Sequence, residues 1–149
     1  MKKKQLKSFY PKQNDLKESW VLYDATNKVL GAAATDIASM VLGKNKATYT
    51  PGVFNQQYVV VVNASKIIVT GKKKDQKKYY SHSGYPGGLK ETTYGALIEK
   101  KPTEPLRKAV NGMLPKNSYG RLLQTKVFYY EDENHRQQAQ NPIPFMESK

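Results

Sequence analysis

Five consecutive residues, Tyr58-Val59-Val60-Val61-Val62, constrain the fold of this chain more than any other feature. β-branched side chains favour extended backbone, and a strand that is apolar at every position has no face to give to water. Such a strand belongs in the middle of a parallel sheet with a layer packed on each side. A second apolar run, Trp20-Val21-Leu22-Tyr23, stops at Asp24-Ala25-Thr26-Asn27 and predicts another buried strand. Between the two, Leu30, Ala34, Ile37, Ala38 and Val41 recur at helical spacing, and Gly43 stands where a helix end favours a left-handed residue. The small side chains Ala32-Ala33-Ala34 let that helix approach a sheet closely.

The remainder supports the same class. Asn63-Ala64-Ser65 breaks the valine strand, and Lys66-Ile67-Ile68-Val69-Thr70 resumes an extended pattern. Residues 71–90 have no apolar period and read as one loop, of a length that in a small domain usually has a function. A helix is expected around residues 93–100, stopped by Pro102. A second follows in which Thr103 caps, Pro105 occupies the first turn, and Leu106, Ala109, Val110, Met113 and Leu114 form an apolar stripe ended by Pro115. A short helix over residues 118–123 and a strand over 126–129 come last, before a polar tail from Glu131 that contains Pro142 and Pro144. Strands alternating with helices predict an α/β domain whose mainly parallel sheet is covered on both faces. Residues 1–19 are polar, lysine-rich and interrupted by Pro11; they read as an arm ordered by its partner.

Charge narrows the function. The 149-residue chain has 25 Lys and Arg against 12 Asp and Glu, a net charge of +13, and 22 of the basic residues are lysine. Self-repulsion of that size calls for a polyanionic partner. Lysine is a mobile point charge without the planar fork that reads a base edge, so the excess favours neutralisation of phosphate over base recognition. With no cysteine, thiolate metal sites and disulfides are excluded. The longest aliphatic run is far short of the ~20 residues of a membrane helix, and Lys2-Lys3-Lys4 leads into Gln5-Leu6-Lys7 rather than an apolar signal segment.

Catalytic motifs fail on inspection. The turn before Leu30 has only Gly31 where a dinucleotide fingerprint needs three glycines. Gly43-Lys44 and Gly71-Lys72 lack both the upstream glycine and the Ser or Thr of a phosphate-binding loop. His82 and His135 are the only histidines and have no zinc spacing. The block Glu131-Asp132-Glu133 reads as a solvated surface run. No metal, cofactor or small-molecule substrate is expected.

The positive signal is the segment Lys72-Lys73-Lys74-Asp75-Gln76-Lys77-Lys78-Tyr79-Tyr80. Each phosphate contact releases condensed counterion, so clustered lysine converts into affinity for nucleic acid. Tyr79, Tyr80 and Tyr85 are suited to stacking on unpaired bases or bonding phosphate, and His82 to meeting either. Gly87 and Gly88, before Leu89-Lys90, let backbone approach RNA closely. A second patch is Lys116 and Asn117 with Arg121, the residue best able to grip a phosphate twice. Lys44 and Lys46 follow the first helix and are expected to flank the same basic face.

These segments resemble the bacterial large-subunit ribosomal protein L13 family. The resemblance rests on Trp20-Val21-Leu22-Tyr23-Asp24-Ala25, Gly43-Lys44-Asn45-Lys46 with Tyr49-Thr50-Pro51, and Val59 to Val62 with Asn63-Ala64. It continues through Lys78-Tyr79-Tyr80-Ser81-His82-Ser83-Gly84-Tyr85-Pro86-Gly87-Gly88-Leu89-Lys90, then Gly112-Met113-Leu114-Pro115-Lys116-Asn117 with Gly120-Arg121, and ends at Pro142. It implies a three-layer α/β/α fold with a four-stranded, mainly parallel sheet over residues 20–142, a basic arm over 1–19 and a tail over 143–149. It also implies binding to 23S rRNA, contact with neighbouring large-subunit proteins, a part in early subunit assembly, a cytoplasmic location and no enzymatic activity. Ala32 stands where the family usually has Arg, Gln56-Gln57 where it has Gly-Asp, and only His135 remains of a late His-Pro-His stretch. Two other classes stand beside this reading. One is a small α/β enzyme acting on nucleotides or RNA with His82 as general acid or base; the other is an unselective binder of nucleic acid or anionic membrane.

Overall fold

The structure, a computed structural model, describes residues 10–12 and 15–145. Its elements are β1 (Ser19–Asp24), α1 (Leu30–Leu42), β2 (Gln57–Val62), a 3-10 turn (Ala64–Lys66), α2 (Lys73–Gln76), β3 (Lys78–His82), β4 (Leu89–Thr93) and α3 (Tyr94–Lys100). They continue with α4 (Glu104–Met113), α5 (Ser118–Gln124), β5 (Val127–Tyr129), a 3-10 turn (Gln138–Gln140) and β6 (Ile143–Pro144). Four strands form one sheet in the order β5-β2-β1-β6, every neighbouring pair parallel. Helices flank it in a three-layer α/β/α arrangement.

The valine strand sits where its composition requires. β2 is an inner strand, in register with β1 from Ser19↔Gln57 to Asp24↔Val62. Val59, Val60 and Val61 are wholly buried and Val62 nearly so, which means both faces of the strand are covered. Each such side chain contributes about 1.5–3 kcal/mol relative to exposure. On one face, α1 buries Leu30, Ala33, Ala34, Ile37, Met40 and Val41, and packs against Leu106 and Val110 of α4. On the other, the Trp20 ring stacks on Tyr58 at 4.4 Å and on Phe128 at 5.6 Å.

α1 stops as its sequence demands. Gly43 adopts φ +76°, and its amide and that of Lys44 return to the carbonyls of Met40 and Ser39 at 2.8 and 3.0 Å. A Cβ at Gly43 would also overlap the buried Asn55 side chain. Thr93 caps α3 by accepting from the Ala96 amide at 3.4 Å, and Asn117 caps α5 by accepting from the Gly120 amide at 2.8 Å.

Several elements differ from the sequence expectation. Residues 71–90 are not one loop: a helical turn leads into an antiparallel hairpin, β3 paired with β4 from Lys78↔Thr93 to His82↔Leu89. Lysine and tyrosine on β3 and lysine, glutamate and threonine on β4 hid the period-2 signal, because little of the hairpin is buried. The extended pattern at residues 66–70 is reduced to one bridge, Val29↔Ile68, since a 3-10 turn takes up Ala64–Lys66. Thr103 precedes α4 but its side chain makes no capping bond, and Met113 at the end of the predicted stripe is 44% exposed. The fourth strand, β6, comes from the stretch that reads as polar tail; Val21 and Leu22 pair with Ile143 and Pro144. Much of the predicted arm lies outside the described residues; within them, Leu16 is buried.

Candidate nucleic-acid interface

The hairpin presents its charge by alternation. Side chains of successive strand residues point to opposite faces, so Lys78, Tyr80 and His82 share one face of β3 while Tyr79 and Ser81 share the other. From Gly71 to Lys90 every residue is exposed except Tyr79 and Gly88. Lys72, Lys73, Lys74, Lys77, Lys78 and Lys90 therefore all reach solvent, and Tyr80, Tyr85 and Leu89 are 59%, 77% and 61% exposed. Lys78 pairs with Glu91 at 2.6 Å, and hydrogen bonding to that carboxylate raises the lysine pKa. Both partners are exposed, so the pair is weak and open to exchange for a phosphate.

The tip is built for a tight turn. The Gly84 amide donates to His82 Nδ1 at 2.9 Å, the Gly88 amide to the Tyr85 carbonyl at 2.9 Å, and the Ser83 amide to the Gly88 carbonyl at 3.2 Å. Gly87 has φ +73°, and a Cβ at Gly88 would overlap the Ser83 hydroxyl. Accepting at Nδ1 leaves the neutral His82 ring its proton on Nε2, where it is a donor.

Tyr79 faces inward. Its ring packs against the core with the ammonium groups of Lys77 and Lys108 over it at 5.4 and 5.1 Å. Burial, with the neighbouring Tyr94, raises its phenol pKa. Tyr79 anchors the hairpin to α4 while Tyr80 and Tyr85 remain outside. Lys108 had no signal in the sequence, because its role depends on which helix face meets the hairpin.

Lys46 also turns inward. Its ammonium donates to the Ser19 hydroxyl at 2.8 Å and to the Asn55 carbonyl at 3.1 Å, and burial lowers its pKa. Lys44 is exposed. The loop they begin is tied to α5, because the Tyr119 hydroxyl donates to the Val53 carbonyl at 3.0 Å. Lys116, just before that helix, and Arg121, within it, are exposed, and Asn117 spends its side-chain oxygen on the cap. Gly120 is buried against Pro115, whose carbonyl a Cβ would strike, so the turn admits no side chain there.

At the carboxyl ends of β1 and β2, a position where α/β sheets usually hold ligands, the polar side chains Asp24 and Asn63 are engaged in structural bonds. Asp24 accepts from the Thr26 amide and hydroxyl at 3.0 and 2.7 Å and from the Asn63 side chain at 3.0 Å. Lys66 in turn donates to Asn63 at 3.1 Å. Burial alone raises the Asp24 carboxyl, but these donors and the Lys66 charge outweigh it and leave its pKa lowered. Among the described residues neither His82 nor His135 is hydrogen-bonded to a carboxylate, the arrangement that base catalysis needs.

The model of the ribosomal protein L13 family matches residues 18–136, a stretch that includes β1 to β5 and the whole hairpin. The chain belongs to the ribosomal protein L13 family. It is similar to the large ribosomal subunit protein uL13 of Lawsonia intracellularis, 51% identical over 139 residues that cover 93% of this chain and 96% of the relative. The same protein of Citrifermentans bemidjiense is 51% identical over 92% of this chain and 96% of its own length. That of Thermobifida fusca is 46% identical over 94% of each. The L13 match takes in Lys72 to Lys90 and Lys116 to Arg121 together, the two segments with exposed basic side chains described above.

Proposed function

We propose that the protein is a structural constituent of the large ribosomal subunit that binds 23S rRNA by neutralising phosphate and helps the subunit to assemble early. Membership of the L13 family carries the coarser part: a ribosomal protein of the large subunit, acting in translation in the cytoplasm and not an enzyme. The finer part rests on one observation, the exposure of nearly the whole segment from Gly71 to Lys90 with its lysines. Exposed lysine on a supported hairpin is poised to displace counterions from folded RNA, and each contact adds to affinity and to its salt dependence. Tyr80, Tyr85 and the Nε2 donor of His82 add stacking and hydrogen bonds at the same tip. The turn at Lys116, Asn117 and Arg121 is a second contact, and the exposed Lys44 adds a further positive charge. Tyr79 and Lys46 serve by holding these segments in place.

In this reading residues 20–142 are the rRNA-binding body, residues 1–19 an additional basic arm and residues 143–149 a tail whose first two residues complete the sheet. Retention of the protein on large subunits through high-salt sedimentation, and its release when the hairpin lysines are neutralised, tests the proposal. An unselective polyanion binder would transfer to any competing RNA in that experiment.

A further inference from the structure

β5 is the outermost strand on its side of the sheet, bonded along one flank to β2. The Lys126 carbonyl accepts from the Val59 amide at 3.1 Å, and the Tyr130 amide donates to the Val61 carbonyl at 2.8 Å. In a parallel ladder that pattern turns the N–H and C=O groups of Val127 and Tyr129 away from β2. A cleft of about 800 Å³ lies against this strand, lined by Val127, Phe128 and Tyr129 together with Arg107 of α4, Glu131, Asp132 and Arg136. Beside it, the Tyr129 hydroxyl and His135 Nδ1 are buried without a hydrogen-bond partner among the described residues. A strand edge left open beside a cleft is a template for a further strand.

The charge of the cleft decides what fits. The chain carries +13, yet the cleft lining holds as many carboxylates, Glu131 and Asp132, as arginines, Arg107 and Arg136, and Arg107 already pairs with Glu104 at 3.9 Å. A polyanion finds no surplus of positive charge in it and meets two carboxylates. An extended polypeptide meets the N–H and C=O groups that Val127 and Tyr129 turn away from β2, and a basic side chain at the carboxyl end of the strand meets the acidic pair. We infer that the open flank of β5 docks an extended, lysine- or arginine-bearing segment of a partner protein, added to the sheet as a strand. The inference is independent of the RNA reading of the hairpin, because it uses neither that segment nor the 116–121 turn. It gives Glu131 and Asp132 a role that a solvated run does not have.

The test uses intact large subunits in which a photoreactive benzoylphenylalanine replaces Asn134, an exposed residue lining the cleft. After irradiation and nuclease digestion, cross-linked peptides are identified by mass spectrometry. The expected product joins position 134 to a basic extended segment of another protein, and most of it is lost with the double variant Glu131→Lys and Asp132→Lys. Both side chains are exposed, and the milder Glu131→Gln and Asp132→Gln pair is expected to give an intermediate yield in subunits that incorporate it normally. Cross-linking to rRNA, cross-linking to residues 1–9 of the chain itself, the absence of any product, or a yield that ignores the charge reversal each overturns the inference.

Discussion

Lys46 and Ser19 are joined by a hydrogen bond of 2.8 Å that fastens the loop after α1 to the start of β1. The same ammonium bonds the Asn55 carbonyl at 3.1 Å, and burial lowers its pKa, so this lysine is a structural tie. Lys46→Met keeps the aliphatic stem and leaves two acceptors without their donor. A loss of about 1–3 kcal/mol is expected in urea unfolding, with the RNA affinity of the folded protein unchanged. Weaker RNA binding at unaltered stability would instead put Lys46 at the interface.

The exposed hairpin lysines behave in the opposite way. Changing Lys72, Lys73, Lys77 and Lys78 together to Gln is expected to leave thermal unfolding of the free protein nearly as it was, since surface charges contribute little to folding. Binding to rRNA weakens, and the slope of log affinity against log salt becomes shallower. If about six phosphates are engaged, affinity in the unaltered protein falls roughly a thousandfold between about 50 and 200 mM salt. A slope identical in the two proteins would remove the hairpin from the contact.

Gly120 separates shape from charge at the second patch. Gly120→Ala drives a methyl group into the Pro115 carbonyl and forces the turn apart, at an expected cost of about 1–3 kcal/mol. Arg121→Gln touches no such contact and is expected to weaken RNA binding without that loss. Calorimetric unfolding of both variants beside filter binding distinguishes the two effects.

Asp24 gives a pH dependence with a definite sign. Its folded-state pKa lies below the ordinary 3.8, because hydrogen bonds from Thr26 and Asn63 and the charge of Lys66 outweigh the effect of burial. A lowered carboxylate contributes stability that is present above the unfolded value and is lost as pH falls through the folded one. Asp24→Asn is therefore expected to be less stable than the parent near neutrality, with the difference shrinking as the solution is taken below 3.8. Urea midpoints measured across that range check it; a gap that widens in acid contradicts the assignment.

How much of this was legible in the sequence follows from what each element buries. The valine strand, α1 with its Gly43 stop and the apolar face of α4 were readable, because burial leaves an unbroken apolar run in the strand and a helical period in the helices. The hairpin was not, since strands that bury little but Tyr79 have no such trace and read as loop. β6 was invisible for a different reason: two residues, one of them proline, have no pattern of their own and pair only because β1 offers an edge. Among the candidate site residues, clustering identified the lysines of residues 72–90 as a group. It could not say that Tyr79 and Lys46 point inward, a matter of strand parity and of one loop closing on Ser19. Lys108 lies outside any cluster and becomes visible only when α4 meets the hairpin.

The pairing of Val21 and Leu22 with Ile143 and Pro144 makes β1 wait for a segment far later in the chain. A nascent chain emerging from its amino end can form β1, α1 and β2 early, but the outer flank of β1 stays unzipped until Ile143 and Pro144 have been made. A premature stop shortly before codon 143 would thus leave a chain with nearly all of its core and a sticky margin, one that a quality-control protease meets as an incomplete product.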